Sequence, residues 1–67
     1  MKFQLDIRCE NAAFGHTYDS MKEETCNILR EAIQKINNHR TEASLLDSNG
    51  NVVGGFQFKN TRAKKEG

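Results

Sequence analysis

No stretch of this chain approaches the roughly 20 consecutive apolar residues that cross a bilayer, so a membrane-spanning helix is excluded at the outset. Met1-Lys2-Phe3-Gln4-Leu5-Asp6 alternates polar and apolar side chains where a signal peptide would carry an apolar core. The chain is therefore expected to be cytoplasmic. Cysteine is scarce, with 2 in 67 residues, and no Asn-x-Ser/Thr acceptor occurs, so both thiols read as reduced. Charge of one sign is also lacking: 10 basic residues against 9 acidic ones leave +1, too weak a field to imply nucleic acid by itself. What remains is 36% hydrophobic and 28% charged, which excludes a disordered chain. A domain this short buries only about 60% of the surface its unfolded form exposes, leaving room for one core. Residues 1–59 read as a single domain without repeats or linkers, and 60–67 as a flexible basic tail in which Arg62, Lys64 and Lys65 meet only Glu66.

Residues 3–9 alternate Phe3, Leu5, Ile7 and Cys9 with Gln4, Asp6 and Arg8, the period of a strand with one buried face. Glu10 to Thr17 breaks the alternation and reads as a long loop whose Phe14 folds back onto the core. Ser20-Met21-Lys22-Glu23 matches a capping box and predicts a helix start near Ser20. Met21, Thr25, Ile28, Leu29, Ala32, Ile33 and Ile36 then recur at helical steps, with Glu24, Asn27, Glu31, Gln34, Lys35 and Asn38 opposite. The helix is predicted to end at Asn37-Asn38-His39, where an asparagine can adopt the left-handed cap. Residues 42–46 and 52–58 flank Asn49-Gly50, the signal of a hairpin with a type I′ turn. Val53 and Phe56 cannot share a face in a regular strand, and Gly54-Gly55 is the expected bulge that reconciles them.

The class is thus α+β, with order β-α-β-β. Because the helix returns the chain to the start of the first strand, an all-antiparallel three-stranded sheet needs the third strand in the middle, spatial order 1-3-2, with the helix packed on one face. The expected core is Phe3, Leu5, Ile7, Phe14, Met21, Ile28, Leu29, Ala32, Ile33, Ile36, Leu45, Val53, Phe56 and Phe58.

Few residue sets could carry chemistry. Asp47, Asn49 and Asn51 copy the opening of a calcium loop, but Val52 and Phe58 stand where that loop needs glycine and glutamate. Cys9, His16, Cys26 and His39 are separated by 6, 9 and 12 intervening residues, with no close pair to seed a zinc site. The two cysteines read instead as small buried thiols. No metal, no cofactor and no catalytic group is expected, and Gly54-Gly55 lies inside a strand, where it cannot cradle phosphate.

Three segments, Asn11-Ala12-Ala13-Phe14, Asn27-Ile28-Leu29-Arg30-Glu31 and Asp47-Ser48-Asn49-Gly50-Asn51-Val52-Val53-Gly54, together give the chain a recognisable outline. It resembles the small uncharacterised proteins of phages, prophages and plasmids that carry an Asn-Ala-Ala-Phe segment, an amphipathic helix and an Asn-Gly-Asn hairpin. The resemblance spans residues 2–58 and departs at Leu46 and Val52 and in the basic tail. It implies no catalytic residues. What it implies is a viral binding protein that occludes a host component, a defence system included.

The reading that follows is a non-enzymatic inhibitor whose partner is a host protein or a small signalling ligand. Its expected contacts are Asn11, Phe14 and His16 in the long loop, and Arg8, Leu46, Val52, Gln57 and Lys59 on the helix-free sheet face. A homodimer covering Leu46 and Val52, or pairing a sheet edge, is expected as well. The alternative is an accessory nucleic-acid binder using Lys59, Arg62, Lys64 and Lys65 with Arg8. It is weakened by the lack of aromatic side chains for base stacking on that face.

Overall fold

A computed structural model of the chain describes residues 1–60. The basic tail, apart from Asn60, lies outside the described residues. Strand β1 (Lys2–Ile7) leads through a single 3₁₀ turn (Ala12–Phe14) into helix α1 (Tyr18–Asn37), and β2 (Glu42–Leu46) and β3 (Val52–Lys59) follow. The sheet is antiparallel with order β1-β3-β2, as the return path of the helix requires.

The helix cap lies three residues before the expected one. Thr17 is the N-cap, its hydroxyl accepting the amide hydrogen of Ser20 at 3.1 Å, and the backbone ladder opens with Met21 N to Thr17 O at 3.0 Å. The Thr17 hydroxyl also donates to Ser20 Oγ at 3.0 Å, and Asp19 in the first turn meets the positive helix end. At the other end His39, not an asparagine, takes the left-handed position at φ 70°. His39 N reaches Ile36 O at 2.9 Å and Arg40 N reaches Lys35 O at 3.1 Å, the two bonds of a Schellman cap.

Phe14, Ile28, Ala32, Leu45, Val53 and Phe56 form the buried core, with Leu5, Ile7, Cys9, Met21, Ile36 and Ala43 packed partly against it. Four expected members are outside it: Phe3, Leu29, Ile33 and Phe58 are 43%, 38%, 58% and 38% exposed. The helix is rolled toward Glu24, whose buried carboxylate accepts the Ser48 amide hydrogen at 2.7 Å, and α1 approaches β2 more closely than β1 or β3. Its Leu29 and Ile33 flank is thereby turned up on the β1 side. Cys26, expected to be buried, shares that roll and is exposed.

The bulge is displaced by one residue from the glycine pair. Leu45 pairs with Gly54 and Leu46 with Val52, so Val53 is the extra residue and turns inward, 2% exposed. Gly54 has a separate task. A Cβ there would run into the carbonyl oxygen of Asp6, so the close approach of β1 to β3 requires glycine.

The hairpin turn also differs in type. Gly50 N donates to Asp47 O at 3.0 Å across Ser48 and Asn49, and Asp47 N to Asn51 O at 2.9 Å. Within this turn only Gly50 has positive φ, at 86°. That is a three-residue loop with a left-handed glycine last, where type I′ would need Asn49 left-handed too.

Candidate functional site

Strand alternation and the observed register place Lys2, Gln4, Asp6, Arg8, Glu42, Ser44, Leu46, Val52, Gly55, Gln57 and Lys59 on the face turned away from the helix. Cross-strand rows run Gln4–Gln57–Glu42 and Asp6–Gly55–Ser44. Gly55 sits at the centre of the middle strand with no side chain, and a wide, shallow depression of about 540 Å³ opens over it. Amides of Gln4 and Gln57, carboxylates of Asp6 and Glu42, the hydroxyl of Ser44 and the guanidinium of Arg40 line it. Arg40 is oriented by its own bond to Glu42 O at 3.3 Å. The floor is backbone and the rim supplies both donors and acceptors, a surface suited to hydrogen-bonding a polar ligand or the main chain of a partner.

At the hairpin end of the same face Leu46 and Val52 are cross-strand partners, 38% and 56% exposed. Arg8 lies beside them, its amide donating to Val53 O at 2.7 Å. At the other end Lys2 and Lys59 face each other, two like charges directly opposite. The structure therefore gathers Arg8, Leu46, Val52, Gln57 and Lys59 on one face, as the alternation predicts.

The loop residues behave differently. Phe14 is 1% exposed and belongs to the core, so it offers no contact surface. Asn11 is half-buried and donates to Asp47 Oδ2 at 2.9 Å, tying the loop to the hairpin. His16 alone of the three is exposed.

Asp47 is the centre of that tie. Its Oδ1 accepts from Asn49 N and Asn51 N, each at 2.9 Å. The Asn11 side chain first, then the two backbone amides, hold its carboxyl below the ordinary value of 3.8 against the opposing effect of burial. The spacing that copies a calcium loop is thus an Asx-type turn with its acceptor already saturated. Among the described residues no group of three or more His, Cys, Asp or Glu side chains is placed to share a metal ion.

Of the residues lining the depression only Gln57 was among the expected contacts. Gln4, Asp6 and Ser44 lie on the expected face, but Glu42 and Arg40 enter from the β2 edge, and the signal that could have found the site is Gly55, an interior strand glycine on the open face.

Set against protein-family models, curated proteins and solved structures, the chain matches none. Its site is judged by its own geometry.

Proposed function

We propose that this chain is a small non-enzymatic binding protein of phage type, acting as an inhibitor that occupies a host protein or captures a small ligand through its helix-free face. The observation that carries the reading is the polar depression over Gly55 flanked by the exposed pair Leu46 and Val52, on a sheet whose register is pinned from behind. Binding surfaces combine an apolar anchor with hydrogen-bonding groups in this way. Supporting it, the polar groups with reactive potential in the interior are spent on structure: Asp47 on three hydrogen bonds, Glu24 on one, and Cys9 beside Thr25 at 3.6 Å.

The test is affinity capture from a bacterial host lysate with the tagged full chain, run beside a Leu46→Lys/Val52→Lys/Gln57→Lys variant. A partner retained by the parent and lost by the variant, with host physiology altered only by the parent, supports the reading. A partner held equally by both moves the contact elsewhere, and no partner with no effect on phage growth overturns the proposal. Nucleic acid enters as a control. Binding through several phosphates must weaken steeply with salt.

A further inference from the structure

Strand β1 ends the sheet on one side, so half its backbone groups have no strand to pair with among the described residues. The bond from Arg8 N to Val53 O fixes which half. Antiparallel strands alternate their pairing direction residue by residue, so Lys2, Gln4 and Asp6 turn toward β3 with Arg8. Phe3, Leu5 and Ile7 turn their amides and carbonyls to the open edge.

Above that edge lies uncovered apolar surface. Phe3 packs on Phe58 with ring centroids 4.8 Å apart, yet both remain more than one-third exposed. Thr25 reaches Cys9 just past the end of β1, so the helical row Thr25, Leu29, Ile33 runs along the β1 flank, and Leu29 and Ile33 are exposed there. Among the described residues this apolar surface over β1 is flanked by helix α1 on one side and by no further strand or helix on the other.

The charges on the opposite face are equally incomplete. Lys2 lies opposite Lys59 and Asp6 opposite Gly55, and the ion pairs among the described residues involve neither Lys2 nor Asp6.

We propose that a second copy of the chain completes this edge, β1 pairing antiparallel with β1 about a two-fold axis through Gln4. The segment Lys2-Phe3-Gln4-Leu5-Asp6 is complementary to its own reverse. Lys2 then faces Asp6 of the second copy, Phe3 faces Leu5, and Gln4 faces Gln4. The backbone phase agrees, because Phe3 and Leu5 both turn outward and exchange their hydrogen bonds, while Gln4 on the axis is already paired with β3. An axis through Leu5 would also satisfy the phase. It sets Lys2 against Arg8, and like charges directly opposite disfavour it. The chosen axis is perpendicular to the sheet, so both helices stay on one side and the second helix becomes the missing wall over Phe3, Phe58, Leu29 and Ile33. The interface is isologous and removes an open sheet edge. The helix-free faces then lie side by side with both depressions open, so this inference stands or falls independently of what those depressions bind.

Sedimentation of the full chain across low to high micromolar concentration tests it. A mass near twice 7.6 kDa is expected at the upper end. Lys2 and Asp6 are both exposed, so K2E and D6K leave the fold intact by circular dichroism. Each sets like charges against each other twice across the seam and weakens self-association on the order of tenfold. An equimolar mixture of the two variants regains the association, because both charge contacts in the mixed pair are again opposite in sign. In the parent, amide exchange at Phe3, Leu5 and Ile7 slows as concentration rises. A parent that stays at 7.6 kDa throughout overturns the proposal, as does a dimer that neither variant weakens or a mixture that regains nothing.

Discussion

Two residues hold unusual positions that set measurable properties. His39 sits in the left-handed region at the helix C-cap, where glycine carries no Cβ penalty. His39→Gly should raise stability by about 0.5 to 1 kcal/mol, read as a higher urea midpoint at unchanged slope. Asp47 is the second. Its folded carboxyl titrates below 3.8, so its contribution is fully present above that value. As pH falls the unfolded chain takes the proton first, and stability drops until the native group is protonated too. Asp47→Asn should melt below the parent at neutral pH and lose less of its melting temperature between about pH 5 and about pH 2. Equal pH slopes in the two proteins would show that other carboxylates govern acid unfolding. The role of Asp47 was only half legible in the sequence. The alternation of Asp47, Asn49 and Asn51 marks a turn, but its partner Asn11 lies 36 residues away and no local pattern announces it.

Among the elements, the helix shows where sequence pattern gives way to tertiary contact. Ile28, Leu29, Ala32, Ile33 and Ile36 define an apolar stripe, and periodicity alone centres the core contact on it. The buried centre lies instead at Glu24, Ile28 and Ala32, because the Glu24 carboxylate binds the Ser48 amide and draws the helix toward the hairpin. Strand order, by contrast, was legible throughout, since it depends on element order and chain return alone. The bulge fell between these cases: the need for an extra residue was visible in Val53 and Phe56, but its place is set by where Leu45 and Leu46 pair, and Gly54 serves the approach of β1. Glu24→Ala should leave the Ser48 amide without its partner, costing about 1 to 3 kcal/mol. Glu24→Gln, which keeps an acceptor oxygen, should cost less. Thermal melts of the pair check this, and equal losses would mean that charge, not acceptance, anchors the helix.

At the scale of the whole molecule, the same roll of the helix that buries Glu24 leaves Phe3, Leu29, Ile33 and Phe58 in water. A chain so short has little apolar surface to spare, so what covers these side chains should be visible in how stability depends on concentration. If the β1 seam forms, unfolding is coupled to dissociation. Each tenfold rise in concentration then adds about 1.4 kcal/mol per dimer, or about 5 °C in melting temperature for two chains of this size. Ile33→Lys separates the two states. Ile33 is 58% exposed in the single chain, and exposed substitutions usually change stability by less than about 0.5 kcal/mol, so at low concentration the variant should melt with the parent. At high concentration the parent gains from the seam while the variant must bury a lysine between two helices, so the curves should diverge and the variant's melting temperature stay flat. Calorimetry over a hundredfold range of concentration reads this directly. A parent whose melting temperature does not move with concentration would leave the groove over β1 uncovered by a second copy, and a variant that melts low even when dilute would place Ile33 in the fold of the single chain.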